Sequence, residues 1–85
     1  IQKPPKVLIL RMRHVPTIDA TGLRALEDTV DKAQKDGITV IISGANHRII
    51  RRMEHSRLTD KIKTENIVKA IDDALIRAEE IIAKP

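Results

Sequence analysis

Two short polar turns carry the side chains best suited to holding a ligand. Thr17-Ile18-Asp19-Ala20-Thr21-Gly22 follows one apolar run, and Ser43-Gly44-Ala45-Asn46 follows another. The first turn opens a helical pattern. A helix start leaves backbone N–H groups free and carries the positive end of the helix dipole, which suits an anion or a phosphate group. Gly22 lets a ligand approach the backbone. Thr17, Asp19, Thr21, Gly22, Ser43, Gly44 and Asn46 are therefore candidates for an anion site. A capped helix start has the same composition, with the Asp19 carboxylate accepting from first-turn N–H groups.

A second group is cationic. Arg48, Arg51 and Arg52, with Arg57 nearby, form a basic cluster. Such a cluster is either a solvated helix face or a contact for an anionic partner. Catalytic constellations are missing. No phosphate-binding Walker loop, dinucleotide glycine fingerprint or nucleophile elbow occurs. His14, His47 and His55 lack metal-ligand spacing, and there are no cysteines. Asp72 and Asp73 are adjacent on a helical pattern and point in different directions, so they do not form a catalytic pair. The reading is of a protein without catalysis, metal or cofactor of its own. The net charge of +4 is modest, and with 0% aromatic residues there is no ring for base stacking, so nucleic acid is not an expected partner.

The elements that position these residues follow from periodicity. Eighty-five residues make one small domain. Lys6–Val15 contains the continuous apolar run Val7–Leu10, as in a strand covered on both faces, and Pro4 and Pro5 stop it extending backwards. Leu23, Leu26, Val30 and Ala33 form one helical face, with Asp19 as N-cap and Gly37 as the C-terminal stop. Ile38–Ser43 is a second β-branched strand. His47 to about Leu58 reads as a helix with Ile49, Ile50, Met53 and Leu58 inward. Thr59–Asn66 reads as a connection, and Asn66 as the cap of a last helix. That helix has a buried stripe Val68, Ile71, Leu75, Ala78 and Ile82, widened by Ile67, Ala70, Ala74 and Ile81. The order is strand, helix, strand, helix, helix, an α/β arrangement with parallel strands and a right-handed crossover. No run is long enough to cross a bilayer and no leader is present, so the chain itself is expected to be soluble and cytoplasmic.

The stretch Val15-Pro16-Thr17-Ile18-Asp19-Ala20-Thr21-Gly22-Leu23 resembles the signature turn of STAS domains, the module shared by sulfate transporters and anti-sigma-factor antagonists. Val40-Ile41-Ile42-Ser43-Gly44 is similar to the family's next strand and turn. Arg51-Arg52-Met53-Glu54 with Ser56-Arg57-Leu58 is similar to the following helix, with Arg57 where Gly is common. Lys61–Ile67 and Ile71–Leu75 resemble the last connection and helix. The resemblance implies a STAS-type fold, a mixed β-sheet with helices packed against it. It also implies the cytoplasmic C-terminal domain of a bacterial SulP-type anion transporter, on the cytoplasmic face of the inner membrane. There it would regulate transport or assembly by protein interaction and anion or nucleotide binding. The alternative is a free antagonist in a phosphorylation-controlled partner switch. In such switches the hydroxyl residue before the Gly is phosphorylated, which makes Thr21 the candidate acceptor.

The partners implied are the transmembrane domain of the same transporter, a cytoplasmic regulatory protein meeting Arg48, Arg51 and Arg52, and a nucleotide or anion. Residues 1–85 are read as a single STAS domain incomplete at its N-terminus, the C-terminal β-α-β-α-α part. Two strands are few for a stable parallel sheet, and Val7–Leu10 would expose an apolar edge. A missing N-terminal segment, present as a separate chain, is the expected partner of that edge. Ile1–Pro5 is read as the remnant of a variable loop.

Overall fold

The structure is a computed structural model that describes residues 5–84. The reading of Ile1–Pro5 therefore falls mostly outside the described residues. Three strands form one parallel sheet in chain order: β1 (Val7–Arg11), β2 (Thr39–Ser43) and β3 (Ile67–Val68). The helices are α1 (Ala20–Lys35), α2 (His47–His55), α3 (Leu58–Ile62) and α4 (Ile71–Ala83), with a single 3₁₀ turn at Thr64–Asn66. Val7 pairs with Thr39 and Arg11 with Ser43, so β1 and β2 end level; Ser43 in turn lies beside Val68 of β3.

Alternation along β2 divides the core. Val40 and Ile42 face a large cluster with Val30 and Ala33 of α1, Ile49 and Met53 of α2, and Leu58 and Ile62 of α3. Ile41 faces the other way, toward Ala74 and Ala78 of α4, with Val7, Ile9 and Val68 beside it. The helices α1, α2 and α3 thus cover one sheet face and α4 the other. Helix α1 ends as its glycine requires: Gly37 has φ +75°, its N–H donates to the Gln34 carbonyl at 3.1 Å, and the Ile38 N–H donates to Ala33 at 2.8 Å.

The first strand runs to Arg11, and the chain turns there, with the Val15 N–H donating to Met12 O at 3.1 Å. Four expectations are corrected. The helix read over His47 to about Leu58 ends at His55, and Leu58 opens α3 after Arg57 turns the chain at φ +63°. The connection Thr59–Asn66 holds a short helix and a 3₁₀ turn, because Leu58 and Ile62 lie one turn apart and are both buried. The two-residue β3 was too short to show a period. Asn66 does not cap the last helix. It is 3% exposed, donates to Ile62 O at 3.0 Å, and accepts from the Arg77 Nε–H at 2.8 Å. In α4 the buried line runs Ile71, Ala74, Ala78 and Ile81, while Leu75 and Ile82, expected inside, are exposed. Both lines have helical spacing; the small Ala74 and Ala78 let the helix sit close against Ile41.

Candidate functional site

The two polar turns meet at the carboxyl ends of the strands, the place where open α/β sheets hold ligands. Asn46 joins them. Its Oδ1 accepts from the Ile49 N–H at 3.0 Å and so caps α2. Its Nδ2 donates to the carbonyls of Pro16 at 3.0 Å and Val15 at 3.3 Å in the other turn. Gly44 brings the backbones together. It has φ +75°, and a Cβ there would lie 3.1 Å from the N and Cα of Arg13. The Met12 N–H donates to Ser43 O at 2.7 Å, and the Gly44 N–H donates to Val68 O at 3.0 Å. The end of β2 is thus clamped between β1 and β3.

Asp19 caps α1: its Oδ1 accepts from the Gly22 N–H at 2.7 Å. Asp19 and Asn46 therefore hold N–H groups of the helix starts that follow them. Thr21 is exposed in the first turn of α1. The remaining candidates divide between two cavities. Thr17 and Ile18 line one with Arg48, Arg51 and Arg52 of α2. Those three arginines sit at i, i+3 and i+4, hence on one helix face. Ser43 and Gly44 line the other, with Arg11, Arg13, Lys69, Ala70, Ile71 and Asp72. Arg11, Arg13 and Lys69 were not singled out by sequence. Part of their signal was present, since Arg11 and Arg13 flank Met12 at the end of a strand, whereas Lys69 fell inside the helix expected from Asn66 onward and instead precedes the Ala70 cap of α4.

Among the described residues three ion pairs lie elsewhere: Arg24–Asp28, Lys61–Asp31 and Arg77–Glu80. The Asp31 carboxylate accepts from Lys61 Nζ at 2.9 Å, and that bond raises the Lys61 pKa above the ordinary lysine value. Among the described residues no group of three or more His, Cys, Asp or Glu could hold a metal ion. No helix of the described residues is long and apolar enough to cross a membrane.

These features define a class: a small parallel α/β module with helices on both sheet faces and two basic surface cavities at the carboxyl ends of its strands. A family model described as "STAS domain" matches residues 1–74. The chain belongs to the STAS domain family. It is 31% identical over 70 residues to Sulfate transporter 2.2 of Arabidopsis thaliana, covering 82% of this chain and 10% of that protein. The chain thus spans about a tenth of the length of the curated relatives it matches. Among solved structures, a sulfate transporter family protein from Wolinella succinogenes superposes with a TM-score of 0.91 at 34% identity, covering 99% of this chain and 69% of that one. The STAS domain of a SulP transporter from Vibrio cholerae gives a TM-score of 0.88 at 35% identity, covering 99% and 66%. These relatives are named as sulfate transporters or SulP transporters, and the chain is a STAS domain of that transporter family.

Proposed function

We propose that this chain is the non-catalytic regulatory domain of a SulP-type anion transporter, lying at the cytoplasmic face of a bacterial inner membrane. One observation carries the reading: the family match runs over residues 1–74 and the relatives it brings are transporters. Those relatives favour the transporter over a free antagonist in a partner switch. The domain would touch the transmembrane part of its own protein. The Thr17, Arg48, Arg51 and Arg52 cavity is the surface for an anionic regulatory partner, and exposed Thr21 is the candidate phosphoacceptor. Residues 1–85 form the larger part of the domain on this reading. The outer edge of β1, which pairs only with β2 among the described residues, then takes a strand from elsewhere in the same protein. The coverage of about two thirds of the two bacterial chains supports this.

The test is uptake of labelled sulfate by the whole protein in proteoliposomes. Replacing Arg48, Arg51 and Arg52 together by Glu, and separately Thr21→Glu against Thr21→Val, is expected to change the uptake rate at least about twofold at equal protein amount, since these charges sit where a partner would read them. Uptake that none of these variants changes overturns the regulatory reading.

A further inference from the structure

We infer that the cavity between the carboxyl ends of β1 and β2 and the start of α4 binds a tetrahedral oxyanion, a sulfate or a phosphate group. The donors are Arg11, Arg13, Lys69, the Ser43 hydroxyl and the first N–H groups of α4.

The cross-strand register builds the floor. Arg11 and Ser43 are partners in the β1–β2 ladder. Both have the parity of Val7, Ile9 and Ile41, which face α4, so both side chains leave the sheet on the α4 side. Ser43 is 2% exposed. Its hydroxyl has no hydrogen-bond partner among the described residues, yet every fully enclosed side-chain N or O atom of those residues has one. The hydroxyl is therefore the part of Ser43 still open to the cavity that the residue lines. A hydroxyl held this way presents a donor to whatever enters.

The roof is a helix start unlike the other two long ones. Asp19 caps α1 and Asn46 caps α2, but the N-cap of α4 is Ala70, which has no side chain to offer. The first intrahelical bond of α4 runs from the Ala74 N–H to Ala70 O at 3.2 Å, leaving the N–H groups of Ile71, Asp72 and Asp73 outside the ladder. Arg11, Arg13 and Lys69 supply the charge, and none of them is in an ion pair among the described residues. Two carboxylates oppose them: Asp72 lines the cavity and Asp73 shares the first turn. Three cations, a hydroxyl and a helix start outweigh those two. The acids lower the affinity by repelling the anion. The Thr17, Arg48, Arg51 and Arg52 cavity has no such uncapped end.

The site does not rest on the transporter reading. The domain is prepared in the stretch of its own protein that gives a dispersed amide spectrum, and its backbone amide shifts are followed during titration. The ligands are sodium sulfate, sodium phosphate and a nucleoside monophosphate, with sodium chloride at matched ionic strength. Saturating shifts at Arg11, Arg13, Ser43, Gly44 and Lys69–Asp73 are expected with oxyanions and not with chloride. Tighter saturation by the inorganic ions assigns a free oxyanion; tighter saturation by the nucleotide assigns the phosphate of a larger molecule. Arg11→Gln with Lys69→Gln should weaken binding at least about fivefold, and Ser43→Ala about threefold. Asp72→Asn, which leaves every donor in place, should tighten it about two- to fivefold. Shifts centred on the starts of α1 or α2, shifts equal to those with chloride, or an Asp72→Asn variant that binds no tighter overturn the proposal. Loss of the transport effects described above would leave these shifts unchanged, so the two readings fail separately.

Discussion

The two faces of the sheet are built differently. On the side of α1, α2 and α3, the core is broad, both long helices have side-chain caps, and Asn46 and Gly44 lock the turns to one another. On the side of α4, the buried cluster is three residues, Ile41, Ala74 and Ala78, and the helix start has no cap. Leu75, Ile76 and Ile82 of α4 are 49%, 56% and 53% exposed. The first face has its helix starts and turn amides paired internally, although Arg48, Arg51 and Arg52 of α2 stand outside any ion pair among the described residues. The second keeps an uncapped helix end, three cations and a hydroxyl unpaired. Polar residues at a turn indicate a ligand only where the fold has not already paired them.

The contrast can be broken most severely at Gly44. Gly44→Ala adds a Cβ against the Arg13 backbone as well as a left-handed φ, and should cost about 2–4 kcal/mol. Gly37→Ala has the same φ but nothing within 4 Å, and should cost about 1 kcal/mol. Urea midpoints with an unchanged slope measure both. Equal losses would mean that the close approach of the two turns contributes nothing. Asn46→Ala removes a cap and two bonds to the neighbouring turn, an expected loss of about 1–2 kcal/mol.

A smaller effect of opposite sign is expected where the chain leaves the well-packed face. Lys63 has φ +79° and ψ +142°, a region that suits glycine. Lys63→Gly should raise stability by about 1 kcal/mol, visible as a higher melting temperature. A drop would show that the Lys63 side chain makes a compensating contact. The smallest effect belongs to the thin face. Leu75→Ser, Ile76→Ser and Ile82→Ser should each change folding stability by less than about 0.5 kcal/mol, since water already reaches these side chains. A larger loss for any of them would show that the α4 face is packed after all.

Much of this arrangement was legible in the residues. The spacing of Leu23, Leu26, Val30 and Ala33, the cap Asp19 and the stop Gly37 defined α1, because each rests on local chemistry. The resemblance carried by the Asp19–Gly22 turn led to the family that the comparisons show. Less legible was anything decided by tertiary packing. The apolar residues of α4 cover so much of its circumference that spacing alone could not choose between Ala74 with Ile81 and Leu75 with Ile82. Asn66 has cap chemistry, but burial beside Arg77 uses it otherwise. Arg57 was noted as standing where Gly is common, and it adopts φ +63°, the conformation that makes glycine suitable there. The cavity of Arg11, Arg13 and Lys69 was hidden because it depends on β3, a two-residue strand that brings Lys69 to the edge of the sheet.

The difference between paired and unpaired helix starts is tested most directly by locating an anion. Crystals of the domain soaked in selenate, a heavy analogue of sulfate, give an anomalous peak at each bound oxyanion. The account predicts a peak between Arg11, the Ser43 hydroxyl and the N–H groups of Ile71–Asp73, lost in the Arg11→Gln, Lys69→Gln protein. A peak at the Asp19-capped or Asn46-capped helix start, with none at α4, would contradict it.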